Sequence, residues 1–403
     1  MLRRAGAEVW RVGFNAGDRA FSFGDRNFIP FTGAPSDWPA KFIDLVQEHQ
    51  ITDIVLYGDV RPIHANAVAA AKELGLTIHV FEEGYMRPYW VTYERGGTNG
   101  NSRLMDMSID QMRQDLERSE MDVPEPPAHW GDMRQHVFYG ALYHWFVIFR
   151  NRQFRKFAPH RDLSPLHEAL LYTRRLLLMP LISLHRMIAT SRVRFGGFPY
   201  HLVLLQLEHD SNFLRHSPFE TMEDFLRVVI EGFAQGAGRH HHLVFKAHPL
   251  ENDRSPTRKN INRIAKDFGV EDRIHYIRGG KLAKLLDHAR TAVTVNSTAA
   301  QQVLWRSIPL KVFGNAVYDK PEFVSTLPLP DFFAQPGRPD NRAYREYRQF
   351  LLETSQIPGG FYSSRGRRQL LRQVVDMMLD DEDPYDALRS GKIAPRQSLR
   401  IVN

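Results

Sequence analysis

Apolar and polar residues alternate in three different ways along the chain. Up to about Asn99, short β-rich runs interleave with helical patterns. Val9–Phe14 reads as a strand, followed by the turn Asn15-Ala16-Gly17-Asp18, and Ala40–His49 reads as a helix. Ile54–Tyr57 is a buried strand ending at Gly58-Asp59, Ala65–Leu74 a helix closed by Gly75, and Thr77–Phe81 the next strand. Strand, helix and strand at this spacing predict βαβ units on a parallel sheet. From Asn101 to Gly197 the pattern is helical. From His201 it reverts: strands at His201–Gln206, Leu243–Lys246, Ile274–Ile277 and Ala292–Val295 alternate with helices at Met222–Ala234, Arg258–Phe268, Leu282–His288 and from Ser297. The remainder, from Asn341, is polar and helical.

The expected fold class is therefore α/β and GT-B-like: two Rossmann-like parallel-sheet domains facing a cleft, with a helical basic insertion. The expected segments are 1–100 (first Rossmann-like half), 101–197 (insertion), 198–340 (second half) and 341–403 (helical tail). A length of 403 residues suits two cores rather than one. Fractions of 43% hydrophobic and 25% charged residues exclude wholesale disorder. The lack of cysteine excludes disulfide scaffolds, thiolate metal sites and thiol catalysis. Met1–Ala20 holds no apolar run of signal-peptide length, and nowhere do about 18 uncharged apolar residues occur together, so a cytoplasmic location is expected. Architecture alone decides nothing about chemistry.

Charge changes the picture in one place. Between Gly140 and Phe195 there are ten Lys or Arg (Arg150, Arg152, Arg155, Lys156, Arg161, Arg174, Arg175, Arg186, Arg192, Arg194) against Asp162 and Glu168, a balance of +8 in a chain of net charge +7. These cations are interleaved with Tyr143, Trp145, Phe146, Phe149, Phe154, Phe157 and the run Leu176–Ile182. Long clustered apolar side chains among cations suit an anionic membrane surface better than nucleic acid. The plain alternative is an amphipathic insertion packed on its own protein.

In parallel sheets the ligand side is the carboxyl end of the strands. After Phe81 come Glu82, Glu83, Gly84 and Tyr85, where one acid can face a cleft for nucleophilic or general-base work at a sugar carbon. A solvated acidic loop is the alternative. After Lys246 comes Ala247-His248-Pro249, a histidine able to donate to a phosphate. After Val295 come Asn296, Ser297 and Thr298, whose hydroxyls at a helix start read as an anion site or as an ordinary cap. Taken on neighbouring strand ends, these two turns imply a bound nucleotide. Gln206, Glu208 and Asp210 follow the His201 strand, and Asn15, Gly17 and Asp18 follow the first.

Read together, these turns resemble the KpsS (LipB-like) family of capsule polysaccharide biosynthesis proteins. The matching stretches are Asn15–Asp18, Tyr57-Gly58-Asp59, Phe81–Pro88, Val91–Glu94 with Asn99 and Ser102, Gln206–Glu208 with Asp210-Ser211, Lys246–Pro249 and Asn296–Thr298. The resemblance implies a retaining β-Kdo transferase that takes Kdo from CMP-Kdo to a lysophosphatidylglycerol acceptor, starting a poly-Kdo linker. It implies Glu83 as nucleophile and a CMP phosphate site at Lys246, His248, Pro249, Asn296, Ser297 and Thr298. Glu82 or Asp210 would act as base. Asn15, Gly17, Asp18, Tyr85, Arg87, Gln206 and Glu208 would line the sugar and acceptor side, with Arg87 or Lys246 facing the Kdo carboxylate. No cofactor and no metal ion are expected, since the one Asp-x-Asp pattern, Asp381-Glu382-Asp383, lies in the tail. Expected partners are the CMP-sugar, a phospholipid acceptor at the inner membrane surface, a capsule export transporter and a second Kdo transferase, but no nucleic acid. The expected location is thus cytoplasmic, peripheral to the inner membrane. Two other readings stand beside this one: an inverting transferase of the CMP-sialic-acid type, and a non-catalytic capsule export factor.

Overall fold

A computed structural model describes residues 1–118, 133–156, 179–249, 251 and 255–392. Arg161, Arg174, Arg175, Phe157 and Leu176–Leu178 of the basic stretch lie outside the described residues, as does Asp162–Glu168. The described strands are β1 (Arg11–Gly13), β2 (Phe28–Pro30), β3 (Asp53–Tyr57), β4 (Thr77–Glu83), β5 (Trp90–Arg95), β6 (Tyr200–Leu204), β7 (His242–Lys246), β8 (Ile274–Ile277), β9 (Ala289–Thr294), β10 (Leu310–Val312) and β11 (Gln356–Pro358). They belong to two compact units. One joins Met1–Thr98, Arg118–Leu177 and Leu351–Asn403; the other joins Asn99–Glu117 and Leu178–Phe350.

In the first unit the sheet order is β11-β5-β4-β3, and β1 pairs β2 separately in parallel. The sheet is mixed, not parallel throughout as expected. β3 and β4 run parallel, as a βαβ unit through helix Pro62–Glu73 requires, but β5 runs antiparallel to β4 and β11 antiparallel to β5. Only residues 84–89 separate β4 from β5, too few for a crossover, so the chain must fold straight back. The segment after residue 350 is also no separate helical tail. Its strand β11 covers the edge that β5 would otherwise leave open, and helix Ser364–Leu379 packs Leu370, Val374 and Met377 against Val91, Tyr93 and Ile357. A second core lies among Trp38, Phe42 and Leu45 of helix Trp38–Glu48, Ala67 and Ala71 of helix Pro62–Glu73, and Ile54, Ile78 and Val80 of the strands.

The second unit follows the expectation of a doubly wound half. Its five strands are parallel in the order β10-β9-β6-β7-β8, which is the Rossmann order once they are counted along the chain. Every residue of β6 is buried, as the central strand of such a sheet must be. Helix Met222–Gly236, opened by a Thr221–Asp224 capping box, packs Phe225, Val229 and Phe233 over Val203, Leu243 and Phe245.

Candidate functional site

The order of the second sheet reverses between β6 and β9, and ligands of open α/β sheets bind outside the carboxyl ends at such a point. The loops leaving these strands are braced there. Gln206 Nε2 donates to Asn296 Oδ1 at 2.7 Å, and Asn296 N–H donates back to Gln206 Oε1 at 3.1 Å. Asn296 Nδ2 also donates to the carbonyls of Asn212 and His216. Both side chains are buried, so they shape the crevice rather than line it. The two acids of the β6 loop are half-buried and each is engaged in a structural bond. Glu208 accepts from Met222 N–H at 3.2 Å and from the Ser255 hydroxyl at 2.6 Å, and Asp210 caps helix Ser211–His216.

Ser297 and Thr298 are half-buried in a turn that precedes the helix, which starts at Ala300 rather than Ser297. Ser297 Oγ accepts from Ala299 N–H at 3.3 Å, and its carbonyl from the Tyr318 hydroxyl at 2.6 Å. His248 is half-buried and Pro249 exposed after β7. Here an expectation needs correcting: the two turns are not on neighbouring strands, because β6 lies between β7 and β9. At one sheet spacing per strand, their strand ends are about 10 Å apart. Lys246, expected to face a substrate carboxylate, is buried and donates to the Ala247 carbonyl at 2.9 Å.

In the first unit, Glu82 and Glu83 end β4, and the pleat sends them to opposite faces of the sheet. Glu82 follows Ile78 and Val80 toward the helix-covered core. Burial pushes its carboxyl up to about 7; the charge of Glu83 adds to this, while the Glu83 N–H bond at 3.1 Å and nearby Arg87 and Arg61 oppose it. Gly58, at φ +71°, lets the backbone pass where a Cβ would stand 3.1 Å from Glu82 Oε2. Glu83 shares its face with Tyr57, whose hydroxyl donates to Glu83 Oε1 at 3.3 Å. The Tyr362 phenol also lies close enough for the Glu83 carboxylate to raise its pKa. Burial, reinforced by the charge of Glu83, raises both phenols above their ordinary range, so they stay donors at neutral pH. Arg87 is exposed, with Nε toward the Gly84 carbonyl at 3.4 Å. No pattern in the sequence points to Tyr362, which stands 279 positions from Glu83 (362 − 83) and meets it through the β11 pairing.

Tyr85, expected beside the sugar, is in the core at 1% exposure, its hydroxyl on buried Glu94 at 2.7 Å. Alternation explains it: Gly84 turns the chain, and the aromatic ring fills the space over β5 rather than the strand end. Asn15, Gly17 and Asp18 also serve a structural purpose. Asn15 caps helix Ala16–Ala20, and Tyr143 of helix Met133–Arg150 bonds Asn15 Nδ2 at 2.7 Å and Asp18 Oδ1 at 2.9 Å. A Cβ on Gly17 would stand 2.6 Å from the Tyr143 ring. The glycine admits a close approach, as expected, but the visitor is this tyrosine. Among the described residues, no group of three or more His, Cys, Asp or Glu side chains is placed to hold a metal ion.

The family described as "Capsule polysaccharide biosynthesis protein" matches residues 52–362. The capsule polysaccharide export protein KpsS of Escherichia coli is 30% identical over 366 residues, covering 90% of this chain and 92% of that protein. The capsule polysaccharide modification protein LipB of Neisseria meningitidis serogroup A is 29% identical, covering 90% and 87%. Among solved structures, the KpsC β-Kdo 2,7 transferase of Thermosulfurimonas dismutans aligns over 88% of this chain and 92% of its own, with 12% identity and a TM-score of 0.43, a likeness too distant to carry function.

Proposed function

Because the chain belongs to the capsule polysaccharide biosynthesis protein family, we propose that it is a glycosyltransferase acting on CMP-Kdo. It moves Kdo with retention onto a lysophosphatidylglycerol-type lipid at the inner membrane surface, opening a poly-Kdo linker for later capsule enzymes and the export transporter. The observation that carries this reading is the carboxyl pair at the end of β4: Glu83, held by the Tyr57 hydroxyl, beside Glu82, whose carboxyl burial raises to about 7.

In the proposed reaction, Glu83 attacks the anomeric carbon of Kdo. The carbon–oxygen bond to the phosphate breaks, and CMP leaves with that electron pair. Tyr57 holds the attacking carboxylate in one orientation, with the Tyr362 phenol close by. The acceptor hydroxyl then attacks the glycosyl carbon and displaces Glu83, and two inversions leave the configuration retained. The acceptor proton passes to a base, for which Glu82 and Asp210 are the two candidates. His248, Ser297 and Thr298 at the β7 and β9 ends stabilise the leaving phosphate, with Gln206 and Asn296 holding the β9 turn in place. No metal ion enters these steps.

The test is CMP release from CMP-Kdo with lysophosphatidylglycerol, with mass spectrometry of the lipid and NMR of the new linkage. Glycosylated lipid with a β linkage is expected, and Glu83→Gln should lower the rate by at least about a hundredfold. Lipid that never acquires a sugar would favour the export-factor reading. An inverted linkage would favour a transferase of the CMP-sialic-acid type.

A further inference from the structure

Helix Met133–Arg150 is apolar on two opposite sides. One side packs on its own unit: Tyr143 sits over Gly17, and Phe21 meets Tyr139 and Tyr143 edge-on with ring centroids 6.2 and 6.0 Å away. The other side carries Phe138, Leu142, Trp145 and Phe149, exposed by 63%, 37%, 45% and 66%. Steps of four, three and four residues put these side chains in one stripe, turned well away from Tyr143. A helix with a packed apolar side and a bare apolar side lacks the polar face that solvent requires, so something apolar is expected to meet it.

Charge indicates what that is. From Met133 to Lys156 there is no Asp or Glu, and Arg150, Arg152, Arg155 and Lys156 are all exposed at the carboxyl end of the stripe. Exposed Arg365, Arg367 and Arg368 flank its amino end, where Ser364 N–H donates to Gln135 at 3.1 Å. Arg367, Phe138 and Tyr139 there share a hollow of about 370 Å³. We propose that this face docks on an anionic phospholipid bilayer, with the helix lying in the plane of the interface, its aromatic stripe among the acyl chains and its cations on the headgroups. No described helix is long and apolar enough to cross a membrane, and one of about 27 Å at 1.5 Å per residue fits flat. A second copy docking through the same stripe would bring these like charges together across a two-fold axis. The docking goes beyond the proposed sugar transfer and needs none of it.

The test is co-flotation of the full chain with vesicles of phosphatidylcholine containing phosphatidylglycerol, and with phosphatidylcholine alone, in the absence of any CMP-sugar. Binding to the anionic vesicles, weakening with salt, is the expected result. The pair Phe138→Ser with Phe149→Ser, and separately Arg150→Glu with Arg152→Glu, should each lower partitioning by about tenfold or more. Unchanged circular dichroism and melting temperature would show that the variants still fold. Equal binding to both vesicle types, no binding, or full binding by both variant pairs would overturn the proposal. So would a stripe-dependent dimer in gel filtration that fails to float. Since no donor is present, failure here is separate from failure of the CMP-release assay.

Discussion

Replacing Glu82 by Gln gives the sharpest check on the reasoning about the β4 carboxyls. Burial lifts the Glu82 carboxyl from 4.5 to about 7 in the folded chain. The folded form therefore holds its proton more tightly than the unfolded form. The sign follows directly: the stability this group contributes is complete below about pH 4.5 and is lost as pH rises through 7. At 1.36 kcal/mol per unit, the loss amounts to about 3 kcal/mol at most. Gln keeps the shape and cannot ionise. Glu82→Gln should thus match the parent near pH 4.5 and exceed it by about 1–3 kcal/mol above pH 7. Hydrogen exchange of the β3, β4 and β5 amides, followed from pH 4.5 to 8 after correction for intrinsic rates, reports on this unit alone. A constant difference between the two proteins across that range, or a variant less protected at pH 8, would refute the assignment of a desolvated carboxyl.

Gly17→Ala should lower stability by about 1–3 kcal/mol, because its Cβ would overlap the Tyr143 ring, and pairing it with Tyr143→Ala should recover part of the loss. A parental melting temperature for the single variant would contradict that packing. In the second unit, burial pulls His201 down to about 3 and His275 to about 4, so the unfolded chain takes up protons first and stability falls as pH drops from about 6.5 toward 4. Protection of the β6, β7 and β8 amides should decline over that window, and His275→Gln should flatten the decline; a parental profile insensitive to pH would count against it.

Much of this molecule is legible in the order of its side chains. The apolar runs at β6, β7, β8 and β9, separated by helices of crossover length, could belong only to a parallel sheet, and the polar residues after each run had to fall at its carboxyl end. Periodicity is local, so it reaches that far. It did not mark Trp90–Arg95 as a strand, and so gave no sign that β5 folds back on β4. Nor could it show which partner a polar motif meets. Asn15, Asp18, Gln206, Glu208 and Asp210 look like ligand-facing groups, yet their hydrogen bonds are already taken by Tyr143, Asn296, Met222 and Asn212, and the Tyr143 ring occupies the space beside Gly17.

The chain's local pattern determined where strands, helices and strand ends occur, because backbone geometry repeats every two or 3.6 residues and leaves its period in the sequence. Tertiary structure alone decided which side chains meet across long intervals: Tyr143 over Gly17, Tyr362 on Glu83, and β6 set between the two turns proposed for phosphate. Such contacts depend on which edge a returning segment covers and how tightly cores close, and neither leaves a repeat to be read.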